Sequence, residues 1–264
     1  MRRFPLGIGK TMTRIVNTAA DAAVTLILWV HYVAGFLLIF SPFYLGAFLF
    51  AADREAAFQR LNHALHRSFF TLLRFLVPGV TWHISPEVLA LRSAVIVANH
   101  QSFLDPILFV SLFPRQKTVV KKRYFRVPVF GWILKTSGYI PALAGDTAAD
   151  ILLEQIGRMK AYLAAGGNLF MFPEGTRSRD GRVAPFERGA FRLAKLCRAP
   201  VRVVTLSGTG RLYGPGRFLF RTRERFTVSV DLAGTLQPDY DGDVFPLSGL
   251  MDVARDLMER RETP

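Results

Sequence analysis

Only one cysteine, Cys197, stands in the chain, so an internal disulfide and a thiolate metal cluster are excluded, and a reducing compartment is the simplest home. Acidic residues are also scarce. Twenty face 34 basic ones, a net charge of +14, so the partner should be anionic: nucleic acid, an acidic membrane surface or a phosphorylated small molecule. Lysine is sparse within that excess, seven against 27 arginines, a balance that suits bidentate phosphate recognition but that genome composition explains equally well. No internal repeat and no low-complexity linker is present. The most telling absence is local: between Val24 and Ala52 there is no Asp, Glu, Lys or Arg. That stretch of 29 residues exceeds the roughly 20 needed to cross a bilayer as a helix. A cleavable signal peptide fits less well, because the charged lead is long and the apolar part outlasts an ordinary signal core.

Ser41-Pro42 interrupts the stretch, and a kink or a helical hairpin is expected there. Arg2, Arg3, Lys10 and Arg14 precede it and Arg54, Arg60, Arg67 and Arg74 follow. Basic residues on both sides give no crossing direction, which favours a hairpin dipping into one leaflet over a single tilted crossing. From Asp53 to Val77, apolar residues at helical spacing (Phe58, Leu61, Leu65, Phe69, Leu72) alternate with Arg and His, an amphipathic helix able to lie on a membrane or on the next domain. His63 and His66 lack Cys, Asp or Glu at ligand spacing and read as a solvated or lipid-facing pair rather than a metal site. Pro78-Gly79 marks a boundary between an N-terminal membrane anchor, residues 1–77, and a second domain, residues 78–264.

Beyond the boundary, strand-like runs near 80–85, 94–98, 118–120, 169–172, 201–206 and 226–232 alternate with helical patterns at 106–113, 128–136, 147–165 and 187–198, and a last helix near 248–261 closes the chain. Asp146 or Thr147 can cap the third helix. The fold class is α/β, a mostly central mixed sheet covered by helices, with an N-terminal membrane-embedded helical segment.

Two corners carry chemistry. Asn99-His100-Gln101-Ser102-Phe103-Leu104-Asp105 follows an apolar β-branched run and precedes Pro106, which places Asp105 as N-cap of the next helix with His100 in a loop that curls back towards it. A histidine held by an aspartate is a general base with a fixed tautomer, although the same spacing fits a capping Asp beside a hydrogen-bonded loop His. Phe172-Pro173-Glu174-Gly175-Thr176-Arg177-Ser178 leaves another strand, so the two corners can converge on one sheet edge. Gly175 permits close backbone approach, Thr176 offers a hydroxyl and Arg177 a fork for phosphate. Between them, Arg115 to Arg126 holds six basic residues and no acidic one, including Lys121, Lys122 and Arg123. With Tyr124, Phe125 and Phe130 this suits phosphate headgroups with aromatics at the interface. Nucleic-acid binding leaves the uncharged stretch unexplained.

Asn99-His100 to Asp105, followed about 70 residues later by Phe172 to Ser178, resembles the first and third motifs of the glycerolipid acyltransferase superfamily, of the 1-acyl-sn-glycerol-3-phosphate acyltransferase type. Lys122 to Phe125 with Pro128 and Gly131 resembles the second motif, and Phe186 to Ala194 the helix start after the third. Pro200 to Val204 resembles the fourth, with Thr205 where proline is usual. The resemblance covers about residues 80–210 and implies transfer of an acyl group from acyl-CoA or acyl carrier protein to the hydroxyl of 1-acylglycerol 3-phosphate, giving phosphatidic acid. It implies His100 as base and Asp105 as its orienting carboxylate. Glu174, Gly175, Thr176 and Arg177 would lie at the glycerol phosphate, and Lys121, Lys122 and Arg123 would assist phosphate or donor binding. Neither a metal nor a further cofactor is implied. The expected partners are a lysophospholipid, an acyl thioester and membrane lipid, and the expected place is the cytoplasmic face of the inner (plasma) membrane. Another lysolipid, such as a lyso-aminolipid, is the rival acceptor. A basic lipid-binding protein without catalysis is the rival class.

Overall fold

The uncharged stretch forms one helical path rather than two legs of a hairpin. In the computed structural model, which describes residues 6–142, 149–240 and 247–262, helix α1 (Leu6–Ala34) runs through a π-helical turn (Gly35–Phe40) into α2 (Ser41–Phe50). The reversal expected at Ser41-Pro42 does not occur there. Pro42 cannot donate to the carbonyl four residues back, so the turn widens: the Ser41 N–H reaches the Phe36 carbonyl five residues back, and Ser41 Oγ donates to the Leu37 carbonyl at 2.6 Å. The chain turns instead at 51–53, where Asp53 Oδ1 accepts the Ala56 N–H at 2.9 Å and opens α3 (Arg54–Leu76). α3 runs back along α1 and α2, with Tyr32 against Phe69 and Tyr44 against Phe58 at ring separations of 5.9 and 5.1 Å.

One stripe of α1, including Thr25 and Leu28, is buried on the protein, while Leu26, Ile27, Val30, Val33 and Leu37 are exposed on the opposite face. Residues 12–50 are long and apolar enough to cross a membrane by length and composition. His66 is buried rather than solvated or lipid-facing, while His63 is only half-buried. His63 Nδ1 meets the Val110 carbonyl at 3.2 Å, and His66 Nδ1 donates to the Asn62 carbonyl at 2.6 Å. Burial pushes the His66 pKa down to about 4, so its ring stays neutral and Nε2 accepts the Tyr32 hydroxyl at 3.2 Å. A polar seam continues along the helix. Asn62 Oδ1 accepts the Tyr44 hydroxyl at 2.6 Å, Asn62 Nδ2 donates to Ser137 Oγ at 2.9 Å, and Gln59 takes the Tyr162 hydroxyl at 2.9 Å while donating to the Ser137 carbonyl.

The sheet has seven strands: β1 (Val80–Ile84), β2 (Val95–Ala98), β3 (Gln116–Lys121), β4 (Ile140–Ala142), β5 (Asn168–Met171), β6 (Val201–Ser207) and β7 (Phe226–Leu236). Their spatial order is β1-β7-β6-β2-β5-β3-β4, every neighbouring pair being parallel except β6 with β7. β2 is central and buried throughout, which is why it reads as an unbroken apolar run. Its alternate residues serve two cores. Ile96 and Ala98 face a cluster with Phe70 and Leu73 of α3 and Leu108 of α5 (Leu104–Leu112). Val95 and Val97 face one built with α7 (Ala149–Ala164), α8 (Gly189–Cys197) and α10 (Leu247–Glu262). Leu28, Phe69 and Phe70 belong to the first of these clusters, so the N-terminal helices share a core with the sheet across the boundary read at Pro78-Gly79. Short helices α4 (Pro86–Leu89), α6 (Phe130–Thr136) and α9 (Thr209–Tyr213) fill connections. The expected cap at Asp146 or Thr147 lies outside the described residues.

Asn62 is the hub of the seam. Asn62→Ala leaves the Tyr44 and Ser137 hydroxyls buried without their partner, so unfolding in detergent should become easier by about 1–3 kcal/mol, measured as a lowered Tm.

Candidate active site

Val97 of β2 pairs with Met171 of β5, so the loops that follow, from Asn99 and from Phe172, leave the same sheet edge side by side. That edge is where open α/β sheets bind ligands. Asn99 ties the first loop to β6, its Nδ2 donating to the Leu206 carbonyl at 2.8 Å and its Oδ1 accepting the Leu206 N–H at 2.7 Å. The loop then curls as the spacing predicts, but Asp105 is not its helix cap. α5 begins at Leu104, two residues before Pro106, with the Leu104 N–H going to Ser102 Oγ at 3.1 Å, which leaves the Asp105 carboxylate free to turn back. Fully buried, its Oδ2 accepts the Gln101 and Ser102 N–H groups, each at 2.7 Å, and meets His100 Nδ1 at 2.9 Å. A carboxylate only accepts, so the proton of the third bond belongs to Nδ1 and the lone pair of the imidazole lies on Nε2. The His100 ring is stacked on Phe172, 4.3 Å between centroids at 22°, and its side chain keeps 16 % exposure. This is the geometry of an accessible, oriented base.

Glu174 braces the two loops rather than opening onto the cleft. Nearly buried, it accepts the His100 N–H on Oε1 at 2.8 Å and the Ala184 N–H on Oε2 at 2.9 Å. Burial pushes its carboxyl above the ordinary glutamate value, against the pull of those two donors. A second bond, from the Ser178 N–H to the His100 carbonyl at 2.7 Å, closes the loops on each other. Gly175 stands between them at φ +66°, where a Cβ would come within 2.6 Å of Glu187 Oε1. Thr176 and Arg177 are exposed on the same loop, two residues and one residue before Ser178. Thus His100, Asp105 and Glu174 are directly bonded, and Gly175, Thr176 and Arg177 sit on the adjoining turn. Lys121, Lys122 and Arg123 are exposed at the carboxyl end of β3, one strand beyond β5 on the same sheet edge.

Three contributors lie outside the residue set read from the sequence. Phe172 supplies the stacking floor, and its place at the strand end, as first residue of the third motif, was the available signal. Ser102 Oγ donates to the Tyr213 carbonyl at 2.5 Å, fastening the catalytic loop to α9. Burial raises the Tyr213 phenol pKa and the neighbouring Arg177 opposes that shift. Nothing local in sequence links Tyr213 to a loop more than a hundred residues earlier. Among the described residues no group of three or more His, Cys, Asp or Glu side chains is placed to hold a metal ion.

A histidine–carboxylate pair thus stands at the strand ends of an α/β sheet, and residues 80–207 match the family model described as Acyltransferase. The 1-acyl-sn-glycerol-3-phosphate acyltransferase BAT2 of the Brassica napus chloroplast is 39% identical over 122 residues, 46% of this chain and 35% of that protein. The Saccharomyces cerevisiae 1-acyl-sn-glycerol-3-phosphate acyltransferase is 32% identical over 154 residues, 56% of this chain and 50% of that protein. The chain thus spans a third to a half of the length of these curated relatives. Among solved structures, the 1-acyl-sn-glycerophosphate acyltransferase PlsC of Thermotoga maritima superposes with a TM-score of 0.68 at 23% identity, covering 91% of this chain and 95% of that one, a likeness of fold.

Glu174→Gln tests the brace. An amide must point its NH2 at one of the two N–H donors, so the variant should lose about 1–3 kcal/mol of stability, read as a lowered Tm, and acyl transfer should fall with it.

Proposed function

We propose that this chain is an O-acyltransferase that moves an acyl group from a thioester, acyl-CoA or acyl carrier protein, to the free hydroxyl of 1-acylglycerol 3-phosphate, giving phosphatidic acid. The observation that carries the reading is the Asp105–His100 pair, bonded through Nδ1 with the His100 side chain 16 % exposed, on a loop bonded to the one that bears Arg177. His100 Nε2 takes the proton of the acceptor hydroxyl as its oxygen attacks the thioester carbonyl. The tetrahedral intermediate collapses by breaking the carbon–sulfur bond, and the imidazolium returns the proton to the departing thiolate. Asp105 stabilises the imidazolium between those steps. No acyl-enzyme is required, because the thioester is already activated. Cys197 is buried with its thiol pKa raised by that burial, which suits core packing rather than nucleophilic attack.

Arg177 presents the planar fork that a phosphate monoester takes bidentately, with Gly175 and Thr176 beside it for backbone and hydroxyl contacts. Lys121, Lys122 and Arg123 serve the phosphates of the donor or the acceptor. Both substrates carry acyl chains, and the exposed apolar face of α1 and α2 supports attachment to a membrane that would hold them.

The test is release of free thiol by the purified chain in detergent, given acyl-CoA and a panel of lysolipids. Release should follow lysophosphatidic acid, and His100→Ala should lower it by about 10²–10⁴-fold or more without loss of folding. An unchanged rate in that variant removes the mechanism, and release with a lyso-aminolipid alone removes the acceptor. Arg177→Ala should raise KM for lysophosphatidic acid roughly 10- to 100-fold while kcat changes less, the loss of one charge-assisted pair.

A further inference from the structure

The segment between α9 and β7 is not absorbed by the site. Residues 211–225 hold five arginines against one acid, Glu224, which is already satisfied by Arg221 at 2.9 Å and Arg211 at 3.3 Å. Arg217 and Arg223 are exposed, with no carboxylate partner among the described residues. Between them Phe218 projects with 79 % of its surface exposed, while Phe220, two residues on, is buried and stacked on Tyr213 at 4.5 Å. An outward phenylalanine with arginines beside it that have no carboxylate partner suits the boundary between headgroups and acyl chains.

The segment is also held at a defined level along α1. The Phe220 N–H donates to Thr25 Oγ1 at 3.0 Å, and the Thr222 N–H and hydroxyl both donate to Asp21 Oδ1, at 2.9 and 2.6 Å. Asp21 is the last charged residue before the uncharged stretch begins at Val24. The strap therefore crosses the buried stripe of α1 at the last charge before the uncharged stretch, the level at which headgroup phosphates would lie.

We infer that residues 214–223 form an interfacial strap that binds the anionic headgroups of the bilayer on which α1 rests, with Arg217 and Arg223 on phosphates and Phe218 inserted beneath them. It rests on the membrane reading of α1. Because the strap leaves Tyr213, whose carbonyl holds Ser102 of the His100 loop, its seating fixes how the cleft meets the lipid surface.

Full-length protein carrying Cys197→Ala and a single Phe218→Cys, labelled with an environment-sensitive fluorophore, is reconstituted into vesicles of phosphatidylcholine alone or with about 30 mol% phosphatidylglycerol, the anionic lipid supplying the surface potential. A second protein carries the label at Val30→Cys on the exposed face of α1. The Val30 label should report an apolar setting in both vesicles. The Phe218 label should do so chiefly in the anionic ones, and should lose the signal in about 1 M salt, where the Debye length is about 3 Å. Arg217→Glu with Arg223→Glu should lower the seated-to-free ratio at least roughly 25-fold, about fivefold for each arginine removed. A Phe218 signal that stays aqueous while Val30 responds overturns the strap, as does an equal response in neutral and anionic vesicles. A silent Val30 label overturns the membrane reading itself, and the strap with it.

Discussion

The site depends on one buried carboxylate. Burying an ionised carboxylate costs several kcal/mol unless donors replace its water, and Asp105 has no exposure at all. Three N–H groups converge on its Oδ2, two from the backbone of Gln101 and Ser102 and one from the His100 ring. To deliver those donors the chain must curl tightly between β2 and α5, and once it has curled, the imidazole has only one way to face. The orientation of the imidazole thus follows from satisfying one oxygen of a buried acid, Oδ2, while Oδ1 has no hydrogen-bond partner among the described residues.

That loop would still be free to swing without its neighbour. Glu174 and the Ser178 N–H each bond a backbone group of His100, on opposite sides of the peptide, so the β5 loop clamps the β2 loop at the residue that matters most. Parallel pairing of β2 with β5 makes this possible, because it brings both loops out at one edge with matched register. Phe172 completes the arrangement as a flat floor under the ring. The oriented imidazole, the exposed Arg177 and the bonds that hold them together therefore come from two short turns on adjacent strands.

Much of this was legible because it is local. The apolar runs of β2 and β5, the His100 to Asp105 spacing and the glycine turn before Arg177 are all short-range patterns, and the mixed sheet follows from their alternation with helices. What escaped depends on distant partners. Asp105 reads as a helix cap because Pro106 follows it, yet Ser102 takes that role and the carboxylate turns to the loop. Glu174 reads as a substrate contact because it neighbours Arg177, whereas burial and two backbone donors turn it inward. His63 and His66 look solvated in an Arg-rich helix until Val110 and Tyr32 are brought against them. Pro42 signals a break, but a π turn absorbs it without reversing the chain. β4, three residues long with Pro141 in its middle at the sheet edge, offers too little pattern to read.

The exposed apolar face of α1, the strap on its buried stripe and the cleft at the sheet edge set the His100–Asp105 pair in a protein with surfaces suited to lipid. All of it presumes that Asp105 holds the Nδ1 proton and leaves Nε2 as the base. Nitrogen NMR of the imidazole-labelled protein, above the histidine pKa, tests this directly. His100 should show a protonated Nδ1 and an unprotonated Nε2, a preference that Asp105→Ala removes. A proton on Nε2, or a tautomer indifferent to the loss of Asp105, would contradict the account.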